Sequence, residues 1–156
     1  MIDTHRIRSL ERFPSGLWLW FLPVSLLVFG CQTRYPNEKR CIPVTGEVYV
    51  DGQPAAGVLV ACHPAGGIDV NQPTVTQGIT NAQGRFELTT YEAGDGAPLG
   101  EYRLTFTWQD FKVLSASFSG PDKLKGRYDD AEKSDIRLTV VEGKPMDLGR
   151  IELATQ

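Results

Sequence analysis

A chain of 156 residues with 16 Lys and Arg against 19 Asp and Glu, net −3, has room for one ordinary domain with a real core. The mildly acidic balance excludes the clustered basic face that nucleic-acid binding requires, so no nucleic-acid partner is expected. Sixteen Gly and ten Pro among many Thr and Val, with no sustained helical period past the first thirty residues, point to short strands joined by turns.

Residues 1–30 carry Arg6, Arg8 and Arg12 against Asp3 and Glu11, so the net negative charge belongs to the rest of the chain. No charge occurs from 13 to 33, and "LWLWFLPVSLLVF" at 17–29 is apolar but for Ser25. A basic segment followed by an apolar run of this length is the layout of a secretory signal. A permanent membrane helix needs about 20 apolar residues, and here a shorter run is interrupted by Pro23. The motif "VFGC" at 28–31 resembles the bacterial lipoprotein signal: Val28 and Gly30 match its aliphatic and small positions, Cys31 its obligatory cysteine, and Phe29 is bulkier than the pattern prefers. The resemblance implies diacylglycerol transfer to the Cys31 thiol, cleavage between Gly30 and Cys31, and acylation of the new amino group with a palmitate-type chain. An uncleaved N-terminal anchor and an ordinary secretory cut are the alternatives, and all three place the rest of the chain outside the cytoplasm. The expected organisation is a signal peptide at 1–30, a polar tether at 31–42 containing "QTRYPNEKR", and a domain at 43–156.

In the domain, Val44, Val48 and Val50 alternate with Thr45, Glu47 and Tyr49, the period of a strand with one buried face. Asp51-Gly52 supplies turn chemistry, and a second strand at 58–63 is expected to complete a hairpin. "TNAQGRFELTTY" repeats the device, with Phe86 and Leu88 facing one way. In "EYRLTFTW", Tyr102, Leu104, Phe106 and Trp108 share one face and read as core. Weaker strands are expected at 113–118, 136–141 and 147–153, the last with a bulge or a strand start near Gly149. Together these describe a seven- or eight-stranded sandwich or a barrel.

"VTGEVYVDGQPAAGVLVACHP", "TNAQGRFELTTY" and "GDGAPLGEYRLTF" resemble carboxypeptidase regulatory-like domains, and "KGRYDDAEKSDIRLTV" and "EGKPMDLGRIEL" are similar to small lipoproteins of planctomycete-type bacteria that carry this module. The resemblance spans roughly 43–153 and implies an all-β, antiparallel, Greek-key sandwich of the transthyretin (prealbumin-like) type. It also implies a mostly non-catalytic accessory role.

Chemical equipment is sparse. Of two histidines, His5 lies in the signal and His63 ends a strand, so no catalytic residue is assigned. The hydroxyisourate hydrolases share the transthyretin-like fold, but they rely on two histidines, an arginine and a C-terminal Tyr-Arg-Gly-Ser; this chain ends "IELATQ". Asp129, Asp130, Glu132 and Asp135 crowd one loop without a recognised cation spacing, and Lys133 sits among them, so no metal or other cofactor is expected. Gly94, Gly96 and Gly100 precede a strand rather than a helix and serve a turn, not a phosphate cradle. An exported compartment permits a disulfide between Cys41 and Cys62. A two-residue Asp51-Gly52 loop would set them opposite each other, yet the same register puts Val58 and Val60 on the wrong face, so the bridge and two free thiols both stay open.

The expectation is therefore a lipid-anchored, extracytoplasmic, non-catalytic sandwich module, held to the cell membrane or outer membrane and facing an unknown envelope protein or polysaccharide. The main alternative is a carbohydrate- or protein-binding module, which would present Tyr91, Trp108 or Phe111 on its surface.

Overall fold

The computed structural model describes residues 38–112 and 117–156, and the fold is all-β. Its strands are β1 (Cys41–Ile42), β2 (Val44–Val50), β3 (Gln53–Pro54), β4 (Val58–Pro64), β5 (Thr76–Ile79), β6 (Arg85–Glu87), β7 (Ala97–Pro98), β8 (Gly100–Trp108), β9 (Asp110–Lys112), β10 (Ser117–Ser119), β11 (Arg137–Val140) and β12 (Met146–Leu153). One sheet has the order β11-β8-β4-β5. The other is built on β2, with β12 along one edge and β6 and β3 in line along the other. Two small pairs, β1-β7 and β9-β10, complete the strands of the described residues.

The inner faces come from the predicted alternation. Val44, Val48 and Val50 on β2, Val58 and Val60 on β4, Leu104 and Phe106 on β8, Leu138 and Val140 on β11 and Leu153 on β12 are all buried in one core. Phe86 and Leu88 fill it from the β6 side, and Leu124 drops into it from the loop before β11.

The expected hairpin between 44–50 and 58–63 does not form. Asp51 and Gly52 both take positive φ, 49° and 80°, as a two-residue type I′ turn requires, and Val50 pairs with Gln53 and Tyr49 with Pro54. The return strand stops there. Ala55 is buried, the chain crosses to the opposite sheet, and β4 pairs with β5 and β8 instead of β2. Thr80 fixes this crossing: its hydroxyl donates to the Ala55 carbonyl at 2.6 Å and accepts from the Val58 amide at 2.8 Å, at 4% exposure. Thr80→Val keeps the shape but strands a buried N–H and a buried C=O. It is expected to lower the unfolding free energy in urea by about 2 kcal/mol, with Thr80→Ser costing less than half of that.

A second departure is the direction of β12. It runs parallel to β2, not antiparallel, because the chain leaves β11 in one sheet, crosses over and starts the last strand beside Val44, at the beginning of β2. The register slips between Asp147 and Arg150, where Gly149 has φ 64°, so the parity break near Gly149 is a bulge. Strand structure also begins before residue 43, within the stretch expected to be a tether. Cys41 and Ile42 form β1 on β7, Ile42 is buried, and the Lys39 amide donates to the Tyr91 hydroxyl. Apolar Ile42 is what draws this stretch into the core.

Candidate functional site

His63 lies one residue before the end of β4, opposite Arg103 on β8. Its Nε2 is 2.9 Å from the Thr105 hydroxyl, and the Arg103 guanidinium turns away to donate to the Ala131 and Glu132 carbonyls. The acidic loop folds on itself: Asp130 pairs with Lys133 at 2.8 Å and accepts the Glu132 amide, while Glu132 approaches Arg103 at 3.5 Å. The Lys133 ammonium holds the Asp130 carboxyl below the ordinary carboxylate range. No group of three metal-ligating side chains occurs among the described residues.

Cys41 and Cys62 are both free. They sit on different elements, β1 beside Pro98 and β4 between Leu104 and Thr76, because β4 has left for the other sheet. Burial pushes the Cys41 thiol up to about 11, with the nearby Asp95 carboxylate adding to it, and burial pushes Cys62 up to about 12. Neither is a ready nucleophile at neutral pH. For Cys62 the folded pKa lies above the unfolded value near 9.0, so its contribution to stability is complete below pH 9 and is lost as pH rises toward 12. By pH 10.5 that loss reaches about 2 kcal/mol. Urea titrations from pH 8 to 10.5 should show wild type losing this much more than Cys62→Ala. Tyr102, pushed up to about 12 by burial and next by the Cys62 charge, contributes in both proteins, and the part of its shift that it owes to Cys62 disappears together with that thiol.

Gly94 and Gly96 serve a turn before β7, whereas Gly100 is the first residue of β8. Asp95 organises the turn, its carboxylate accepting the amides of Thr90, Tyr91 and Glu92. Trp108 and Tyr91 are half-buried: the Trp108 indole N–H donates to Ala56 with Lys123 over its ring at 5.0 Å, and Tyr91 receives the Lys39 amide. The Phe111 side chain, Gly30 and Cys31 lie outside the described residues, as do residues 113–116 of the expected strand at 113–118.

Clefts open on the described residues of the domain. One of about 680 Å³ lies between β5 and β6, beside the Gln77-Thr89 bridge that joins β5 to the chain just past β6, and its polar wall includes Gln77, Asn81, Arg85 and Glu87. One of about 340 Å³ surrounds Cys41 and Asp95. The third, about 210 Å³, separates the β4-β5 loop from the start of β8 and is lined by Ile68, Asp69, Leu99 and Lys39. His63 lines none of the three.

The surface feature that sequence reasoning passed over is the loop 65–75. Ile68, Val70 and Val75 are 72%, 85% and 72% exposed. Their signal was available: apolar residues in "AGGIDVNQPTV", interrupted by Gly66, Gly67 and Pro73, have no strand to bury them. Among the described residues no helix is long and apolar enough to cross a membrane.

No family model matches the chain, and no curated protein matches it. Some solved structures show a distant likeness, among them the following two. A 9R-lipoxygenase from Cyanothece PCC8801 is 17% identical, with 76% of this chain and 18% of that one covered and a TM-score of 0.38. An (S)-allantoin synthase is 16% identical, with 75% and 42% covered and a TM-score of 0.39. The chain spans less than half the length of either, and likenesses at this level bear on neither fold nor activity.

Proposed function

We propose that this protein is a lipid-anchored, non-catalytic module of the cell envelope, with a structural or interaction role. The observation that carries the reading is "VFGC" at 28–31, directly after a basic segment and an apolar run, with Cys31 as the acylated residue. The buried polar groups of the domain serve its packing. Its buried Thr76, Thr80 and Thr105 hydroxyls bond to Thr90, Ala55 and His63 within the fold, and no buried side-chain polar atom lacks a partner among the described residues.

Intact-mass analysis of the membrane fraction tests the reading. Wild type should begin at Cys31 and carry the mass of its acyl chains, and Cys31→Ala should remain as unprocessed precursor without lipid. Unlipidated wild type of full length, or a soluble cleaved form, overturns it in favour of an uncleaved anchor or ordinary secretion. A second reading, a module that binds an envelope protein or polysaccharide through its end loops, is favoured by the exposed Ile68, Val70 and Val75.

A further inference from the structure

Six large apolar side chains are exposed among the described residues: Ile68, Val70, Val75, Ile79, Leu99 and Val141. All but Ile79 gather at one end of the sandwich. The loop carrying Ile68, Val70 and Val75 joins the end of β4 to the start of β5. Leu99 precedes β8, whose first residue Gly100 pairs with Val140, so Val141 lies just past the last pair beside it. Ile68 and Leu99 face one cleft.

The N-terminal chain arrives at the same end. Lys39 pairs at 2.7 Å with Asp69, between Ile68 and Val70, and Arg40 pairs with Glu142, next to Val141. Both ion pairs neutralise charge at the rim of the apolar residues, which lowers the cost of taking this surface out of water. Cys31 stands seven residues before Glu38, a stretch that reaches at most about 25 Å when fully extended. A lipid on Cys31 therefore keeps this end near the bilayer, and at such an effective concentration a weak contact is enough to form.

We infer that Ile68, Val70 and Val75, flanked by Leu99 and Val141, insert into the interface of the bilayer that carries the Cys31 anchor, so that the domain stands end-on upon lipid. The inference rests on the lipid-anchored reading and adds an orientation to it: the Asp51-Gly52 turn, at the other end of β2, points away from the membrane.

The test uses the processed protein purified from membranes and reconstituted in phosphatidylethanolamine and phosphatidylglycerol vesicles, with a benzophenone side chain at position 68, 70 or 75, or at Gln53 as the distal control. Intact mass is measured first. With acylated protein, irradiation should give about tenfold more lipid adduct at the three loop positions than at position 53, as expected for side chains among acyl chains rather than in water. Acylated protein with equal, low yields at all four positions overturns the inference and leaves the anchor standing. Unacylated protein overturns both. Irradiation of intact cells that yields protein adducts in place of lipid adducts at the loop overturns the insertion in favour of a protein partner.

Discussion

Gly96→Ala is expected to cost about 4 kcal/mol, a large share of the 5–15 kcal/mol that a domain usually has. Gly96 has φ 95°, where an L side chain is strained, and a Cβ there would lie 1.8 Å from the Ile42 carbonyl oxygen and 2.6 Å from the Pro43 Cα. Both neighbours are backbone, so no rotamer change relieves the clash. Nor can the glycine move alone, because its amide donates to the Leu88 carbonyl and its own carbonyl accepts the Thr90 hydroxyl. The cheapest escape is to separate β1 from β7, which would detach Cys41 and Ile42 from the domain. The damage should then be local. Alkylation at pH 8 with peptide-level mass readout should find Cys41 reacting much faster than in wild type while Cys62 stays protected. Equal protection of both cysteines together with an unchanged urea midpoint would show that β1 and β7 are not held as described. The position matters for the whole chain, since β1 is where the domain takes hold of the segment leading back to Cys31.

The readable part of this fold was the part whose buried face is apolar and continuous. β2 and β8 alternate Val, Leu, Phe and Tyr against mostly polar residues, β4 is a short apolar run, and each lies within one or two residues of its expected bounds. β5 was not legible for the opposite reason: it buries Thr76 and Gly78 and exposes Gln77 and Ile79. Gly78 is small because the Glu87 carbonyl passes 2.6 Å from where a Cβ would be, so its burial reflects a neighbouring strand and not its own hydrophobicity. Two-residue strands such as β3 and β7 are too short for any period to register.

The pairing of strands was the larger gap. The register set by Asp51-Gly52 was right for the residues it controls, since Val50 meets Gln53. Continued to Val58, that register put Val58 and Val60 on the solvent face. This contradiction within the sequence marked the place where the chain changes sheets. Alternation reports which face of a strand is buried but not which sheet supplies the cover, so Cys41 and Cys62 could look opposed while belonging to different elements. The candidate site was less legible still. The apolar run and "VFGC" carry the proposed role of Cys31 without any fold, whereas the exposed end of Ile68, Leu99 and Val141 exists only because β4, β8 and β11 bring distant residues together.

Phe86 and Gly46 give the second large effect and a control on the first. Phe86 is 2% exposed, and its ring lies over Gly46, where an added Cβ would be 2.8 Å from Cζ. Phe86→Ala should cost about 4 kcal/mol through lost burial and the cavity left behind. Gly46→Ala alone should cost about 2 kcal/mol, because the ring must shift within a filled core against which half-buried Leu148 packs. The two penalties should not add. With the ring gone, the new methyl occupies vacated space and alanine tolerates an extended backbone better than glycine, so the second substitution should cost nothing or recover a few tenths of a kcal/mol. A double-mutant cycle in urea is therefore expected to give a coupling of about 2 kcal/mol, and simple additivity would mean that the ring does not lie over Gly46. Phe86→Leu, which keeps most of the volume, holds the cycle measurable if the alanine variant unfolds. No partner substitution should rescue Gly96→Ala in this way. The obstacle at position 46 is a side chain that can be removed, and at position 96 it is the carbonyl of the strand that ties the domain to its N-terminal segment.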